Sequence, residues 1–210
     1  MKSIQVHDTL NPKLWDENNN LRKDVRDKLL DIVEEFADSI EVPLTIIDAH
    51  IVGSNASYNY TEYSDLDLHC IVNYSRLDAD PTLVEAWMWS QKKLFNDEYD
   101  ISIRGIDVEI YVEDVKSNTV SNGIYSLFND EWIKFPESIE AEIDEDVINQ
   151  QVEELMPRIE ESLNSDDSNI VDDTIDEIYL IRKNGLATDG EYGIGNQVSS
   201  NFVILDIWIC

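Results

Sequence analysis

The stretch DLDLHCIVNY, residues 65–74, decides the fold of this chain. Successive side chains of a β-strand point to opposite faces of the sheet, so residues two positions apart share a face. The apolar side chains of the stretch share one face: Leu66, Leu68, Cys70 and Val72. The polar side chains share the other face: Asp65, Asp67 and His69. This alternation predicts a strand with one apolar and one acidic face.

The segments before this strand predict a helix and a further strand. Apolar residues recur there at spacings of three and four with charged residues between them, which is typical of an amphipathic helix. These residues are Leu21, Val25, Leu29, Ile32, Phe36 and Ile40. Pro43 bounds the helix. The run LTIIDAHIV, residues 44–52, is apolar and partly β-branched, so it predicts a strand that Gly53-Ser54 closes.

The segments after the central strand predict a second helix and a hairpin. Asp80 is a suitable N-cap and Pro81 suits the first helical position, so we expect a helix from there to about Phe95. One face of this helix is predicted to contain Leu83, Ala86, Trp87, Ser90 and Leu94. Residues 99–103 and 106–112 predict two strands, which a tight turn at Arg104-Gly105 joins.

The last third of the chain is acidic and predicts helices. Residues 115–135 contain only turn signals and an aromatic-rich stretch, whereas residues 137–183 predict two helices that NSDDS, residues 164–168, separates. Asn184-Gly185 predicts the end of the second helix. The tail FVILDIWIC, residues 202–210, is apolar. This order of elements predicts an α+β or α/β domain followed by a helical region.

Composition excludes several classes of protein. The chain has 210 residues, 42% of them hydrophobic, which is enough apolar material for a core. No apolar run approaches the roughly 20 residues of a membrane span. Cys70 and Cys210 form neither a disulfide framework nor a zinc-binding spacing, and the polar N-terminus lacks the apolar core of a signal peptide. We therefore expect a cytoplasmic protein with free thiols and no membrane partner.

The net charge of −30 disfavours binding to long nucleic acids, because their phosphates would be repelled. Such acidity is compatible with an enzyme that binds a polyphosphate through Mg²⁺. It is equally a property of a DNA-mimicking decoy, and most charge runs simply keep a surface solvated.

One set of residues suggests chemistry: Gly53-Ser54, a ten-residue gap, Asp65 and Asp67, and then Asp107 and Glu109 on a later strand. Two aspartates at positions i and i+2 of a strand point the same way, so both can reach one or two divalent metals. Two metals held about 3.5–4 Å apart can stabilise the attacking and leaving oxygens of an in-line displacement. Glu109 is the favoured third carboxylate because it lies deep in its strand, and Asp107 remains the alternative. Gly53 would let backbone N–H groups approach a phosphate, and the Ser54 hydroxyl could add a bond.

This three-part pattern resembles the polymerase-β-like nucleotidyltransferase superfamily. Further segments resemble a group of predicted nucleotidyltransferases from tailed phages, so that the similarity covers about residues 10–197. These segments are LNPKLWD (10–16), the helix of residues 25–36, GSNASYNY (53–60), DVEIYV (107–112) and YSLFNDEW (125–132). Near the end, Gly185-Leu186, Gly190-Glu191-Tyr192 and Asn196 resemble that group's C-terminal motif.

The resemblance implies an α+β fold with a mixed sheet and flanking helices. Residues 1–136 would be the catalytic domain, and residues 137–210 a helical C-terminal region with an apolar tail. Gly53 and Ser54 would bind a triphosphate, Asp65 and Asp67 would ligate Mg²⁺ or Mn²⁺, and Glu109 would be a third ligand or a base. The substrate would be an NTP, the acceptor an unidentified hydroxyl, and the location the cytoplasm, which is that of the host if the protein is phage-encoded.

The competing interpretation is a non-catalytic acidic interaction protein on the same fold. The intact carboxylate set speaks against it, because a decoy has no need of carboxylates beside Gly53-Ser54. His69 shares the acidic face and is expected to be simply hydrogen-bonded. Two further groups could contact a substrate, although packing and solvation are their ordinary roles. They are the loop residues Tyr58, Tyr60 and Tyr63 and the cations Lys92, Lys93 and Arg104.

Overall fold

The computed structural model describes residues 6–77, 80–138, 145–165, 167–189, 193–195 and 198–199. The chain divides into two compact units. One is Gln5–Ser138, and the other contains the two C-terminal helices.

The first unit contains two helices and one mixed sheet. Its elements are α1 (Lys23–Ser39), β1 (Ile46–Val52), β2 (Leu66–Val72), α2 (Pro81–Glu98), β3 (Ser102–Ile103), β4 (Ile106–Asp114), β5 (Ile124–Ser126) and β6 (Glu131–Lys134). The six described strands lie in the order β3-β4-β2-β1-β5-β6. β2 and β4 are parallel, with α2 as the connection between them, and the other neighbouring pairs are antiparallel. The predicted α+β class with a mixed sheet and flanking helices is confirmed.

The apolar face of the sheet forms the core of this unit. Leu66, Leu68 and Cys70 are fully buried, as the alternation in β2 predicts. They belong to one apolar cluster with the buried side of α1, which contains Val25, Leu29, Ile32, Val33 and Phe36. The predicted amphipathic helix is therefore confirmed as α1, and the first two predicted strands are confirmed as β1 and β2.

The hairpin between β3 and β4 is confirmed, although β3 is shorter than predicted. Arg104 and Gly105 have φ angles of 55° and 72°, which is the left-handed conformation that a two-residue hairpin turn requires. The paired residues of β3 are Ser102 and Ile103. Ile101 still accepts a hydrogen bond from Val108 N at 2.8 Å.

The start of α2 is confirmed, but its predicted face is wrong except for Trp87, which is half-buried against the core. Asp80 accepts a hydrogen bond from Thr82 N at 2.9 Å, as an N-cap does. Leu83 and Leu94 are 66% and 62% exposed, whereas a different stripe is buried: Val84, Met88 and Phe95. Both stripes are apolar, so periodicity alone could not decide between them.

β5 and β6 lie within the aromatic-rich stretch, where the sequence predicts no strand. Both strands are short, and aromatic packing fixes their position. The Trp132 ring of β6 stacks on Trp15 with 4.5 Å between centroids, and Tyr125 of β5 meets the Trp15 ring edge-on at 5.0 Å. A three-residue strand held in this way has too little periodicity to be recognised from sequence.

The second unit contains α3 (Glu145–Leu163) and α4 (Ser168–Asp189). Ile148, Val152, Ile159 and Ile178 form its buried apolar cluster with Val198. The break between the two helices is confirmed, but the predicted helix end at Asn184-Gly185 is wrong, because α4 continues to Asp189. Gly185 is buried, and a Cβ added to Gly195 would lie 3.1 Å from Gly185 Cα, so this glycine permits close packing instead of ending the helix.

Gly190-Glu191-Tyr192, Asn196 and the apolar tail lie outside the described residues. Within the described part of the chain, no helix has the combined length and apolarity needed to cross a membrane.

Candidate active site

The second face of the sheet is polar, and it contains the candidate site. Three neighbouring strands contribute its side chains: Asp48 and His50 from β1, Asp67 and His69 from β2, and Glu109, Tyr111 and Glu113 from β4. The strand register places Asp67 beside Glu109 and His69 beside both His50 and Tyr111. The sheet therefore brings together Asp67 and Glu109, two of the three carboxylates in the favoured set of Asp65, Asp67 and Glu109.

Gly53 contacts Asp67 directly. Val52 pairs with Asp67 in the sheet, and Gly53 follows it with a φ angle of 71°. A Cβ added to Gly53 would collide with Asp67 Oδ2 and would lie 3.2 Å from Asp67 Cγ. The turn after β1 therefore lies against the Asp67 carboxylate, and only glycine leaves room for this approach.

The Gly53-Ser54 turn is linked to the loop before β5. The Gly53 N–H, one of the backbone groups in the turn predicted to approach a phosphate, donates to Ser121 Oγ at 3.1 Å. Ser121 Oγ in turn donates to Gly123 O at 2.8 Å. Ser54 begins a short 3₁₀-helix, Ser54–Ala56, and its hydroxyl makes no hydrogen bond among the described residues.

Asn55 joins this turn to the start of β2, and sequence reasoning assigned it no role. Its side chain is fully buried and donates to Ser64 O at 3.0 Å and to Asp65 O at 2.7 Å. It also accepts a hydrogen bond from Asn11 Nδ2 at 2.8 Å. A buried amide with all these partners fixes the distance between the Gly53 turn and Asp65. The sequence feature that could have pointed to Asn55 was its position inside the segment GSNASYNY, residues 53–60.

Asp65 immediately precedes β2, and Asp67 is the second residue of that strand. Glu109 pairs with Asp67, whereas Asp107 lies two residues earlier in β4, pairs with Ser102 of β3 and is exposed. Of the two alternatives for the third carboxylate, Glu109 is thus the one that lies beside Asp67.

Glu109 has two partners on the polar face. Lys92 Nζ of α2 donates to Glu109 Oε1 at 3.1 Å, and the Tyr111 hydroxyl donates to Glu109 Oε2 at 2.7 Å. Lys92 Nζ also lies 3.6 Å from the centre of the Tyr111 ring. The other two candidate cations lie elsewhere: Lys93 is near the Trp89 ring, and Arg104 pairs with Asp24.

Two histidine–carboxylate pairs continue the polar face beyond Glu109. His69 Nδ1 lies 3.0 Å from Glu113 Oε1, and His50 Nε2 lies 3.2 Å from Asp48 Oδ2. Burial tends to raise the pKa of the Glu113 carboxyl. The contact with His69, the His69 charge, a hydrogen bond from Thr119 and the His50 charge together outweigh burial, so the pKa of Glu113 lies below its ordinary value. His69 thus contacts Glu113, a partner that the sequence did not indicate.

The tyrosines of the loop between β1 and β2 have separate positions. Tyr58 packs against the core, and Tyr60 stacks on His7 with 3.9 Å between ring centroids. Tyr63 is 44% exposed, which leaves its ring open to solvent.

No group of three or more His, Cys, Asp and Glu side chains converges as a metal-binding cluster within the described residues. Magnesium sites are usually built from one or two carboxylates, with water and substrate phosphates as the remaining ligands. The adjacent carboxylates of Asp67 and Glu109, with Asp65 two residues away, supply hard oxygen ligands of this kind.

Comparison of the chain with protein-family models, curated proteins and solved structures gave no match. Any assignment of function depends on the residues of the polar face and on the sequence pattern that they form.

Proposed function

We propose that this protein is a metal-dependent nucleotidyltransferase of the polymerase-β-like type. It would move a nucleoside monophosphate from an NTP to an acceptor hydroxyl and release pyrophosphate. The observation that carries the proposal is the contact between Gly53 and the Asp67 carboxylate, together with the register that sets Glu109 beside Asp67. Three separate parts of the sequence pattern meet at this point of the sheet.

Asp65 and Asp67 are the proposed ligands of Mg²⁺ or Mn²⁺, and Glu109 completes the set as a third ligand or acts as the base. A metal bound there supplies positive charge for the phosphoryl oxygens during an in-line displacement. The Ser54 hydroxyl donates to a phosphate oxygen of the NTP. As base, Glu109 accepts the proton of the acceptor hydroxyl, while the hydroxyl oxygen bonds to the α-phosphorus and pyrophosphate leaves.

The acceptor class follows from charge. With 45 acidic and 15 basic residues, the chain repels a long nucleic acid, so the proposal favours a cationic small molecule or a protein hydroxyl over an RNA end. The proposed nucleotidyltransferase fold is consistent with the mixed sheet and its flanking helices, but function is argued from the site and not from the fold.

Calorimetry with each of the four NTPs in the presence of Mg²⁺ tests the proposal. We expect the wild type to bind at least one NTP only when Mg²⁺ is present, and Asp67→Asn to weaken binding at least about tenfold, since even the supporting partners of metal ligands contribute that much. Asp107→Asn is the matched control, because this exposed carboxylate lies on the same strand as Glu109.

Loss of binding in Asp67→Asn with retention in Asp107→Asn would support the site. A folded wild-type protein that binds no NTP would refute the enzyme proposal and favour the acidic interaction protein.

A further inference from the structure

The fold places the ammonium group of Lys92 on the acidic face of the sheet, beside Glu109. Its side chain is 15% exposed, although the residue lies on a helix and its neighbour Lys93 is exposed. Burial of an ammonium group costs free energy unless a partner compensates it, and Glu109 is that partner at 3.1 Å. Lys92 is therefore not an ordinary solvated surface lysine.

The position of α2 explains how Lys92 reaches Glu109. Asn96, one helical turn after Lys92, donates to Ile110 O at 3.0 Å and accepts from Ile110 N at 3.1 Å. These two bonds fasten α2 along β4, and residues four positions apart lie on the same side of a helix. Lys92 is thereby held beside Glu109, and its ammonium group rests on the Tyr111 ring as in a cation–π contact.

We propose that Lys92 is a placeholder cation: it neutralises Glu109 before the divalent metal binds and releases the carboxylate when the metal arrives. This inference rests on the proposed function, because it assumes that Asp67 and Glu109 receive a metal. It adds a role for a residue on a helix that contributes no metal ligand.

The physical argument is competition for one carboxylate. Without Lys92, Glu109 would lose its cationic partner beside the neighbouring carboxylate of Asp67, in a chain of net charge −30. With Lys92 in place, a divalent ion that binds Glu109 must move beside an ammonium group or displace it, and either event opposes metal binding. Tyr111 differs, since its neutral hydroxyl holds Glu109 Oε2 and leaves further lone pairs on the carboxylate.

Manganese binding followed by electron paramagnetic resonance tests the inference without any catalytic assay. The variants are Lys92→Met, which keeps the length of the side chain and removes its charge, and Lys93→Met as the matched exposed control. We expect Lys92→Met to bind Mn²⁺ about fivefold more tightly than the wild type, an effect near the upper end for a partly exposed ion pair. Lys93→Met should bind Mn²⁺ as the wild type does.

Thermal unfolding provides a second readout. In EDTA, Lys92→Met should melt below the wild type, because Glu109 has lost its counter-ion, and added Mn²⁺ should raise its Tm by more than that of the wild type. Lys92→Arg keeps the charge, so it should retain wild-type Mn²⁺ affinity and serves as the test if Lys92→Met does not fold. A gain in affinity with Arg would contradict the placeholder role.

Equal or weaker Mn²⁺ binding by Lys92→Met, relative to Lys93→Met, overturns the role of Lys92 alone and leaves the proposed function standing. If neither the wild type nor Lys92→Met binds Mn²⁺, the role of Lys92 is refuted, and the NTP calorimetry in the presence of Mg²⁺ decides the proposed function separately. Tighter binding in Lys92→Met that Asp67→Asn abolishes supports both.

Discussion

The two faces of the sheet come from the same strands but have opposite relations to their surroundings. On one face, Leu66, Leu68 and Cys70 are fully buried against α1, and each large apolar side chain contributes about 1.5–3 kcal/mol by leaving water. On the other face, Asp67 and Glu109 are half-buried, and the Glu109 carboxylate accepts hydrogen bonds from Lys92 and Tyr111. Alternate residues of one strand thus serve stability and the candidate chemistry separately, and substitutions should separate the two effects.

The largest expected effect is on the apolar face. Leu68→Ala should lower the free energy of unfolding by about 2–5 kcal/mol, because it removes buried methyl groups and leaves a cavity. Urea denaturation measures this loss. Where the variant is still folded, its binding of Mg²⁺ and NTP should be unchanged. The neighbouring substitution Asp67→Asn should do the reverse, and a larger loss of stability in Asp67→Asn than in Leu68→Ala would contradict the division of the two faces.

An intermediate effect is expected at Gly53, in the turn that follows β1 and lies against Asp67. Gly53→Ala should cost about 1–3 kcal/mol through its positive φ angle, and its new methyl group should also push the Asp67 carboxylate away, so Mg²⁺-dependent NTP binding should be lost. Urea denaturation and calorimetry measure the two losses.

Gly105→Ala is the matched control for Gly53→Ala. Its φ angle of 72° is nearly the same, but the nearest atom to its added Cβ is Lys13 Nζ at 4.0 Å. Strain without a collision should reduce stability and leave ligand binding intact. Similar ligand binding in both variants would show that the approach of Gly53 to Asp67 has no part in the site.

The smallest expected effect concerns Glu113 on the polar face. Its pKa in the folded protein lies below the ordinary value, so the ionised form stabilises the fold at pH values above its unfolded pKa of about 4.3. This contribution is lost as the pH falls through the folded pKa. Wild type should therefore exceed Glu113→Gln in unfolding free energy by less than about 1 kcal/mol at pH 6. The difference should shrink steadily in denaturation series toward about pH 3. A difference that does not change with pH would exclude this ionic contribution.

Sequence predicted the elements whose residues contrast sharply. The alternation in β2 and the spacing in α1 each allow one orientation, and both are observed. In α2, by contrast, Leu83 and Leu94 compete with Val84, Met88 and Phe95 as the apolar side, and the position of the helix beside β4 decides which is buried. Local sequence carries no information about that position.

The candidate site shows the same limit. The pattern of Gly53, Asp67 and Glu109 could be recognised in the sequence by its spacing. The partners could not: the contact of Lys92 with Glu109 depends on the placement of a helix, and the bonds of Asn55 depend on the fold of a loop. The phosphate contact predicted near Gly53 stays a prediction, and the approach of Gly53 to the Asp67 carboxylate is a feature that a spacing argument alone does not reveal.

The outer edge of β4 has hydrogen-bond partners from Ile106 to Val112 O. β3 pairs with Ile106, Ile101 O accepts from Val108 N, Asn96 bonds both backbone groups of Ile110, and the Tyr74 hydroxyl donates to Val112 O at 3.2 Å. An open strand edge is a template on which another molecule can add a strand, and such additions lead to aggregation. By occupying these groups with a helix side chain, a tyrosine and one short segment, residues 101–103, the chain protects this part of its acidic strand from intermolecular pairing.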